Sequence, residues 1–371
     1  MSRICILYLG RSGGPTVDTL QMCKSMCRQN HLLIVLSEYI ENLDKYIELQ
    51  NQHPDNVELC VIPTYKNKIQ FLLRSLNVFK FNKLAKKIMA FNPDFVYLPM
   101  ITLWGALTSL RLPKEKVVSA IHDPQSHAGE KNMILDVIFE KCIKHSYKCV
   151  VFSQKFVDDV CKLYNLKKEN IIVLKLGGYS YYNEFEKSCS DEKQEKPFNR
   201  IMFFGRISKY KGVIYLLKAF DSIKEKMPEL KLRIVGNGNL TDEESTLIKK
   251  LGNKIELYNR WIKDEEVSGF FKDVDFVVLP YIEATQSGIV MLSYANKKAV
   301  LATNVGALDE QIIQNETGIL VDKCNVKSLA DGIFDLYRDN NFIKNGLKGY
   351  ELATTEWTWE KQSCRLLTTL D

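Results

Sequence analysis

Two cations five residues apart, Arg206 and Lys211, follow a short apolar run in FFGRISKYKG (Phe203–Gly212). An apolar run that breaks at a glycine before an amphipathic stretch reads as strand, loop and helix. At that junction an arginine fork and a lysine point charge can bridge a diphosphate. A surface loop of solvated cations would use the same residues. Position favours the diphosphate, because a second segment opens at the same strand edge. This is Leu279–Gly288, LPYIEATQSG, in which an apolar run ends at Pro280. The small and hydroxyl residues Ala284, Thr285, Ser287 and Gly288 follow, and Ile289–Leu292 opens a helix. A loop that feeds a helix this way aims backbone N–H groups at one point, a geometry suited to phosphate.

These loops need a scaffold, and apolar runs alternate with amphipathic stretches along the chain. Strands are expected at Arg3–Leu9, His31–Leu36, Val57–Ile62, Phe95–Leu98, Val117–Ile121, Lys148–Phe152 and Ile171–Lys175, with Thr16–Gln29 and Gln154–Tyr164 helical. Residues 181–198 are charged and without apolar period, so they read as a linker. The alternation resumes with strands at Arg200–Phe204, Lys231–Val235, Ile255–Tyr258, Asp275–Leu279 and Ala299–Thr303, and helices at Gly212–Lys226 and Asp242–Leu251. The implied fold class is α/β, two Rossmann-like domains facing each other across a cleft. The expected division is 1–180, a linker at 181–198, and 199–345.

A length of 371 residues fits two cores better than one. The 46% hydrophobic and 26% charged content is that of a soluble globular chain, and no apolar run approaches the ~20 residues of a membrane span. MSRICILYLG reads as a first strand and not a signal peptide. The ten cysteines include no C-x-x-C pair, and Cys23 and Cys27 fall one helical turn apart. Buried free thiols in a reducing, cytoplasmic compartment account for them better than a metal site. A net charge of +6 is too mild to argue for nucleic acid. Its distribution is informative: residues 59–93 hold no Asp or Glu, yet carry Lys66, Lys68, Arg74, Lys80, Lys83, Lys86 and Lys87 among many apolar residues. Such a segment, Lys66–Lys87, either packs a helix on the core with a solvated basic face or lies on an anionic membrane surface.

Taken together, FGRISKYKG, IVGNG (Ile234–Gly238), DFVVLPYIEATQSG, AVLATNVGALDEQI (Ala299–Ile312) and NETGILV (Asn315–Val321) resemble, in order and spacing, the family 4 glycosyltransferases of GT-B fold. The A-T-Q-S-G loop (Ala284–Gly288) resembles a subgroup common in bacterial polysaccharide assembly. The resemblance implies that Arg206 and Lys211 hold the diphosphate of a nucleotide-sugar donor together with Ser287 and Gly288. No cofactor and no metal would then be required. Glu283, Thr285 and Gln286 would meet the donor sugar, and Tyr258–Asp264 would lie beside the base. Most family members carry a Glu-x7-Glu pair here. Counting from Pro280 to Val300 puts those positions at Ala284 and Leu292, neither acidic, and the holder of the ribose is open.

In the amino half, HDPQSHAG (His122–Gly129) resembles an H-D-x-x-x-H-x-G segment of the same subgroup. This makes His122 and Asp123 the catalytic candidates, a neutral imidazole bonding a sugar hydroxyl or aiding the acceptor. A histidine that merely caps a turn is the plainer reading, and His127 is either a supporting or a turn residue. Gly13 and Gly14, in GRSGG (Gly10–Gly14), resemble the glycine-rich first loop of GT-B transferases, although glycines mark any tight turn. Glu310 is expected to be structural or at the donor edge. The terminal stretch 346–371, with Trp357 and Trp359 in it, is expected to return a helix onto the first domain. The implied reaction is retaining transfer from a nucleotide-diphosphate sugar to a glycan or lipid-linked glycan acceptor. An epimerase or phosphorylase on the same fold, and a binding protein without catalysis, are the other readings.

Overall fold

The computed structural model of the chain describes residues 1–124, 133–179, 181 and 197–370. Seven strands form a parallel sheet in the amino-terminal unit: β1 (Arg3–Tyr8), β2 (His31–Ser37), β3 (Val57–Ile62), β4 (Phe95–Leu98), β5 (Val117–Ile121), β6 (Lys148–Val151) and β7 (Ile171–Val173). Their spatial order is β3-β2-β1-β4-β5-β6-β7. A parallel sheet covered by helices on both faces buries both sides of each central strand. The residues Ile4–Tyr8 and Leu32–Leu36 are accordingly buried without alternation.

Six strands form a second parallel sheet: β8 (Arg200–Phe204), β9 (Lys231–Val235), β10 (Ile255–Tyr258), β11 (Phe276–Leu279), β12 (Ala299–Thr303) and β13 (Gly318–Val321). Their order, β10-β9-β8-β11-β12-β13, repeats the pattern of the first sheet. The strand β13 is the one sheet element missing from the expected set; its four residues follow a turn and were legible only as part of NETGILV. The chain divides into two units, Met1–Lys175 with Trp359–Asp371, and Leu176–Thr358. Where one terminal helix is expected over 346–371, two are present, Asn341–Thr355 and Trp359–Leu370. The second packs on the helix Gly14–Met26, where Ser363 and Ser25 share a hydroxyl contact of 2.5 Å. The expected linker 181–198 lies outside the described residues except for Tyr181, Pro197 and Phe198.

The basic segment splits into two helices with opposite burial. Helix Phe79–Ala90 buries Phe81, Leu84, Ala85 and Ile88 against the core and turns Lys83, Lys86 and Lys87 outward. Helix Lys68–Ser75 instead leaves Ile69, Leu72 and Leu73 about two-thirds exposed (70%, 65% and 65%). Cys23 and Cys27 are buried free thiols. Among the described residues no helix is long and apolar enough to cross a membrane.

Candidate functional site

In the carboxyl-terminal unit the strand order reverses between β8 and β11, which are hydrogen-bonded neighbours. The crevice outside the carboxyl ends of parallel strands at such a reversal is where α/β sheets bind ligands. The loops leaving these two strands are the two that carry Arg206, Lys211 and the TQSG residues, although more than seventy residues separate them in sequence.

The chain ties the loops together through its backbone. The N–H of Ile282 donates to the carbonyl of Tyr210 at 2.8 Å. Gly212 stands at φ 67°, and a Cβ there would fall 2.0 Å from the carbonyl oxygen of Pro280. Only glycine permits this approach. With the backbones in register, the Lys211 ammonium lies 3.7 Å from the centroid of the Tyr281 ring, a cation–π contact. The fully buried Tyr281 places its hydroxyl 3.3 Å from Ser287 Oγ. One aromatic ring therefore touches a cation of the first loop and the helix-capping serine of the second. Arg206 is exposed, and its Nη2 donates to the Tyr210 hydroxyl at 3.1 Å.

The TQSG turn is held from beneath. Ser287 N–H donates to Gln311 Oε1 at 2.8 Å, and Gln311 Nε2 donates back to the Ser287 carbonyl at 3.2 Å. Gln311 belongs to the short helix Leu308–Gln311, and its own carbonyl accepts from the buried Tyr294 hydroxyl at 3.1 Å. The Ser287 amide is thus already occupied. Gly288 and Ile289 are the amides that head helix Gly288–Ala295, where the positive end of the dipole lies and first-turn donors have no partner within the helix ladder. The loop after β12 completes the cradle: Ala307 N–H donates to the Thr285 carbonyl at 3.0 Å, and Gly306, at φ 58°, packs beneath the Ala284 carbonyl.

Of the expected sugar contacts, Thr285 is buried, Gln286 half-buried and Glu283 exposed. Leu292 is only 3% exposed, inside the core, so that position cannot face a ligand. Its neighbour Ser293 donates its hydroxyl to the Ile289 carbonyl at 2.7 Å. Glu310 is half-buried beside Gln311, and its N–H donates to the Ala307 carbonyl. In the segment Tyr258–Asp264, Trp261 is 54% exposed. Arg260 pairs with Glu266 and, with the Lys263 amide, holds that carboxyl down at about 2. Gln311 and Tyr281 were not among the expected residues. Nothing local marks them: each acts through contacts set by the sheet, and the clamp from Gln311 reaches 24 residues back.

The amino-terminal unit has its own reversal between β1 and β4. The loop Gly10–Gly14 leaves β1, and Gly13, at φ 85° and ψ −175°, caps the helix Gly14–Met26. Its carbonyl accepts from Thr16 N–H at 3.0 Å and from Thr16 Oγ1 at 2.7 Å. Arg11 donates to the Tyr65 carbonyl at 2.8 Å and stacks its guanidinium 4.5 Å over the Tyr65 ring. His122 follows β5, half-buried, its ring 4.6 Å from that of Phe152. Its Nε2 lies 2.7 Å from the Pro99 carbonyl, at the end of β4. A carbonyl only accepts, so Nε2 carries the proton and Nδ1 holds the lone pair. Burial lowers the pKa of His122 below its ordinary value, against the opposing pull of the Pro99 carbonyl and Asp123. Asp123 is exposed, and His127 lies outside the described residues. His122 and the glycine-rich loop belong to the first unit, the diphosphate and sugar candidates to the second.

The chain is 26% identical over 209 residues to an uncharacterized glycosyltransferase of Methanocaldococcus jannaschii, covering 53% of this chain and 52% of that one. It is 26% identical over 213 residues to the capsular polysaccharide biosynthesis glycosyltransferase CapM of Staphylococcus aureus, covering 53% and 55%. The chain spans about half the length of the curated relatives it matches. In fold it is similar to Anabaena HepE, solved in complex with UDP and glucose, with a TM-score of 0.73, 18% identity, and coverage of 100% of this chain and 99% of that one. Residues 184–348, which include both loops of the carboxyl-terminal reversal, match the family model for Glycosyl transferases group 1.

Proposed function

We propose that the protein is a retaining, metal-independent glycosyltransferase. It moves a sugar from a nucleotide-diphosphate sugar to a glycan or lipid-linked glycan acceptor in surface polysaccharide synthesis, working in the cytoplasm at the inner face of the cell membrane. The observation that carries the reading is the meeting of Lys211 and Ser287 on Tyr281 at the sheet reversal, with Arg206 on the same loop. In this reading Arg206, Lys211 and the amides of Gly288 and Ile289 take up the charge that develops on the departing diphosphate. Thr285, Gln286 and Glu283 orient the donor sugar. The acceptor hydroxyl attacks from the face the diphosphate leaves, and His122, with Asp123, bonds a sugar or acceptor hydroxyl through the Nδ1 lone pair. Little general-base assistance is then needed, which suits a loop with Ala284 where a carboxylate would otherwise stand.

The relatives support the donor class: HepE was solved with UDP and glucose, and CapM is named for capsular polysaccharide biosynthesis. The test is a panel of nucleotide sugars scored by thermal shift, since a bound donor stabilises the fold by mass action. Turnover of the best donor is then measured in chelator. Arg206→Ala with Lys211→Ala should lower transfer by about a thousandfold or more, the scale for removing preorganised charge from a transition state. Undiminished turnover in the double variant would overturn the assignment. A donor that binds but is never transferred or hydrolysed would make the protein a binder of nucleotide sugars.

A further inference from the structure

We propose that helix Lys68–Ser75 seats the protein on an anionic lipid bilayer by inserting its outward apolar face. The helix is amphipathic in the reverse of the usual sense. Ile69, Leu72, Leu73 and Leu76 recur at the spacing that places residues on one helix face, and they are 70%, 65%, 65% and 79% exposed. Phe79, which opens the next helix, is 78% exposed. A water-facing stripe of this kind is an interaction surface and not a packing accident.

The polar residues of the helix do the anchoring. Asn67 caps it by accepting from Gln70 N–H at 3.0 Å. Arg74 donates to the Thr64 carbonyl at 2.6 Å, and Ser75 Oγ accepts from Trp104 Nε1 at 2.8 Å. Phe71 alone turns inward, against Tyr65 and the core. An eight-residue helix is too short to persist in water by its own hydrogen bonds. Here it is fixed from beneath, so the apolar stripe is presented ready-made.

Charge selects the occupant. Lys66, Lys83, Lys86 and Lys87 are exposed in the segments that flank this stripe in sequence, and no carboxylate occurs anywhere between residues 59 and 93. Exposed apolar side chains within a stretch of sequence whose only charges are positive match the hydrocarbon and headgroup layers of an anionic membrane, with each cation adding attraction near the surface. A second copy of this chain would bring the same carboxylate-free basic stretch to the face, and like charges would oppose it. The seat also connects to the glycine-rich loop: Arg11 donates to the Tyr65 carbonyl and, at 3.3 Å, to that of Lys66, just before the helix. The inserted helix is thereby tied to the loop of the first unit that carries Gly13 and Gly14. If the transferase reading is correct, this presents the acceptor side of the protein to a lipid-linked substrate. The seat itself rests only on the surface.

The experiment is sedimentation of the full chain, without donor or acceptor, with phosphatidylcholine vesicles that either contain or lack phosphatidylglycerol. Binding is expected to the anionic vesicles and to weaken as salt screens the lysines. Leu72→Ser with Leu73→Ser should lower partitioning about tenfold or more, because two leucines leave hydrocarbon contact. Lys83→Gln, Lys86→Gln and Lys87→Gln together should lower it about fivefold per lysine removed. All five positions are exposed, so thermal midpoints should stay unchanged, and Ile69→Ser with Phe79→Ser repeats the apolar test on independent residues. Equal binding to both vesicle types, binding to neither, or a leucine variant that partitions like the parent would each overturn the proposal. A dimer in plain buffer that the leucine variant abolishes would assign the face to a second copy instead. Because no donor is present, the outcome is independent of whether the protein transfers sugar.

Discussion

The two sheet reversals of this molecule share one topology and differ in almost everything built on it. Both sheets run outward from a central pair, β1 and β4 in one and β8 and β11 in the other. At the carboxyl-terminal reversal the loops are bound to each other and to the loop after β12 by backbone contacts, two positive-φ glycines and a buried amide clamp. At the amino-terminal reversal a glycine turn sits under a stacked Arg11, with one imidazole bonded to a carbonyl. Function on a common fold resides in such loops. A cradle of cations and helix amides suits a fixed, highly charged group, while a polar rim with a neutral imidazole suits an uncharged, exchangeable partner.

The clamp is the strongest way to break that contrast. Gln311→Ala removes both bonds to Ser287 and leaves its amide without a partner in a buried site. The expected cost is about 1–3 kcal/mol of stability. Transfer should fall about tenfold to a hundredfold as the helix terminus loses its aim. Thermal unfolding and steady-state rates measure the two. A variant with parental turnover would mean that the carboxyl-terminal cradle is no more preorganised than the amino-terminal rim.

A smaller effect is expected at Gly306. A Cβ there would collide with the Ala284 carbonyl, and φ 58° is strained for alanine. Gly306→Ala should therefore destabilise the carboxyl-terminal unit by about 1–2 kcal/mol and weaken donor binding. The control is Gly269→Ala, since nothing lies within 4 Å of a Cβ built there. Equal thermal shifts in the two variants would show that the loop can yield.

The strands were legible because parallel sheets bury both faces and so write continuous apolar runs, as in FVVL (Phe276–Leu279). The phosphate loops were legible for a related reason: each interrupts such a run with glycine, hydroxyls or cations. Gln311 and Tyr281 carry no comparable mark. A glutamine in GALDEQI becomes a clamp only after the sheet brings β11 beside β12, and no local pattern encodes that pairing. The helix Lys68–Ser75 shows the opposite limit. Its apolar period was readable, but period alone says which residues share a face and not whether that face points inward. The anchoring bonds of Arg74 and Ser75 decide it.

His122 offers the mildest test and sharpens the amino-terminal side of the comparison. Burial lowers its pKa, so the folded chain resists a proton that the unfolded chain accepts. Above the ordinary imidazole value of ~6.5 both states hold it neutral, and it contributes no pH dependence. As pH falls through that value the unfolded state is protonated first, and folding stability declines on the acid side. The Nδ1 lone pair, and any hydroxyl it accepts from, should persist to lower pH than an ordinary histidine would allow. In His122→Gln the amide Nε2 still donates to the Pro99 carbonyl and the titration is gone. Its stability should therefore lose the His122 share of the acid decline, read as a flatter unfolding midpoint below about pH 6.5. Its transfer rate at neutral pH should drop by about tenfold or more if a hydroxyl depends on the imidazole. An unchanged rate with the same flattening would make His122 a structural cap of β5, and would leave the amino-terminal reversal a rim that binds without taking part in the chemistry.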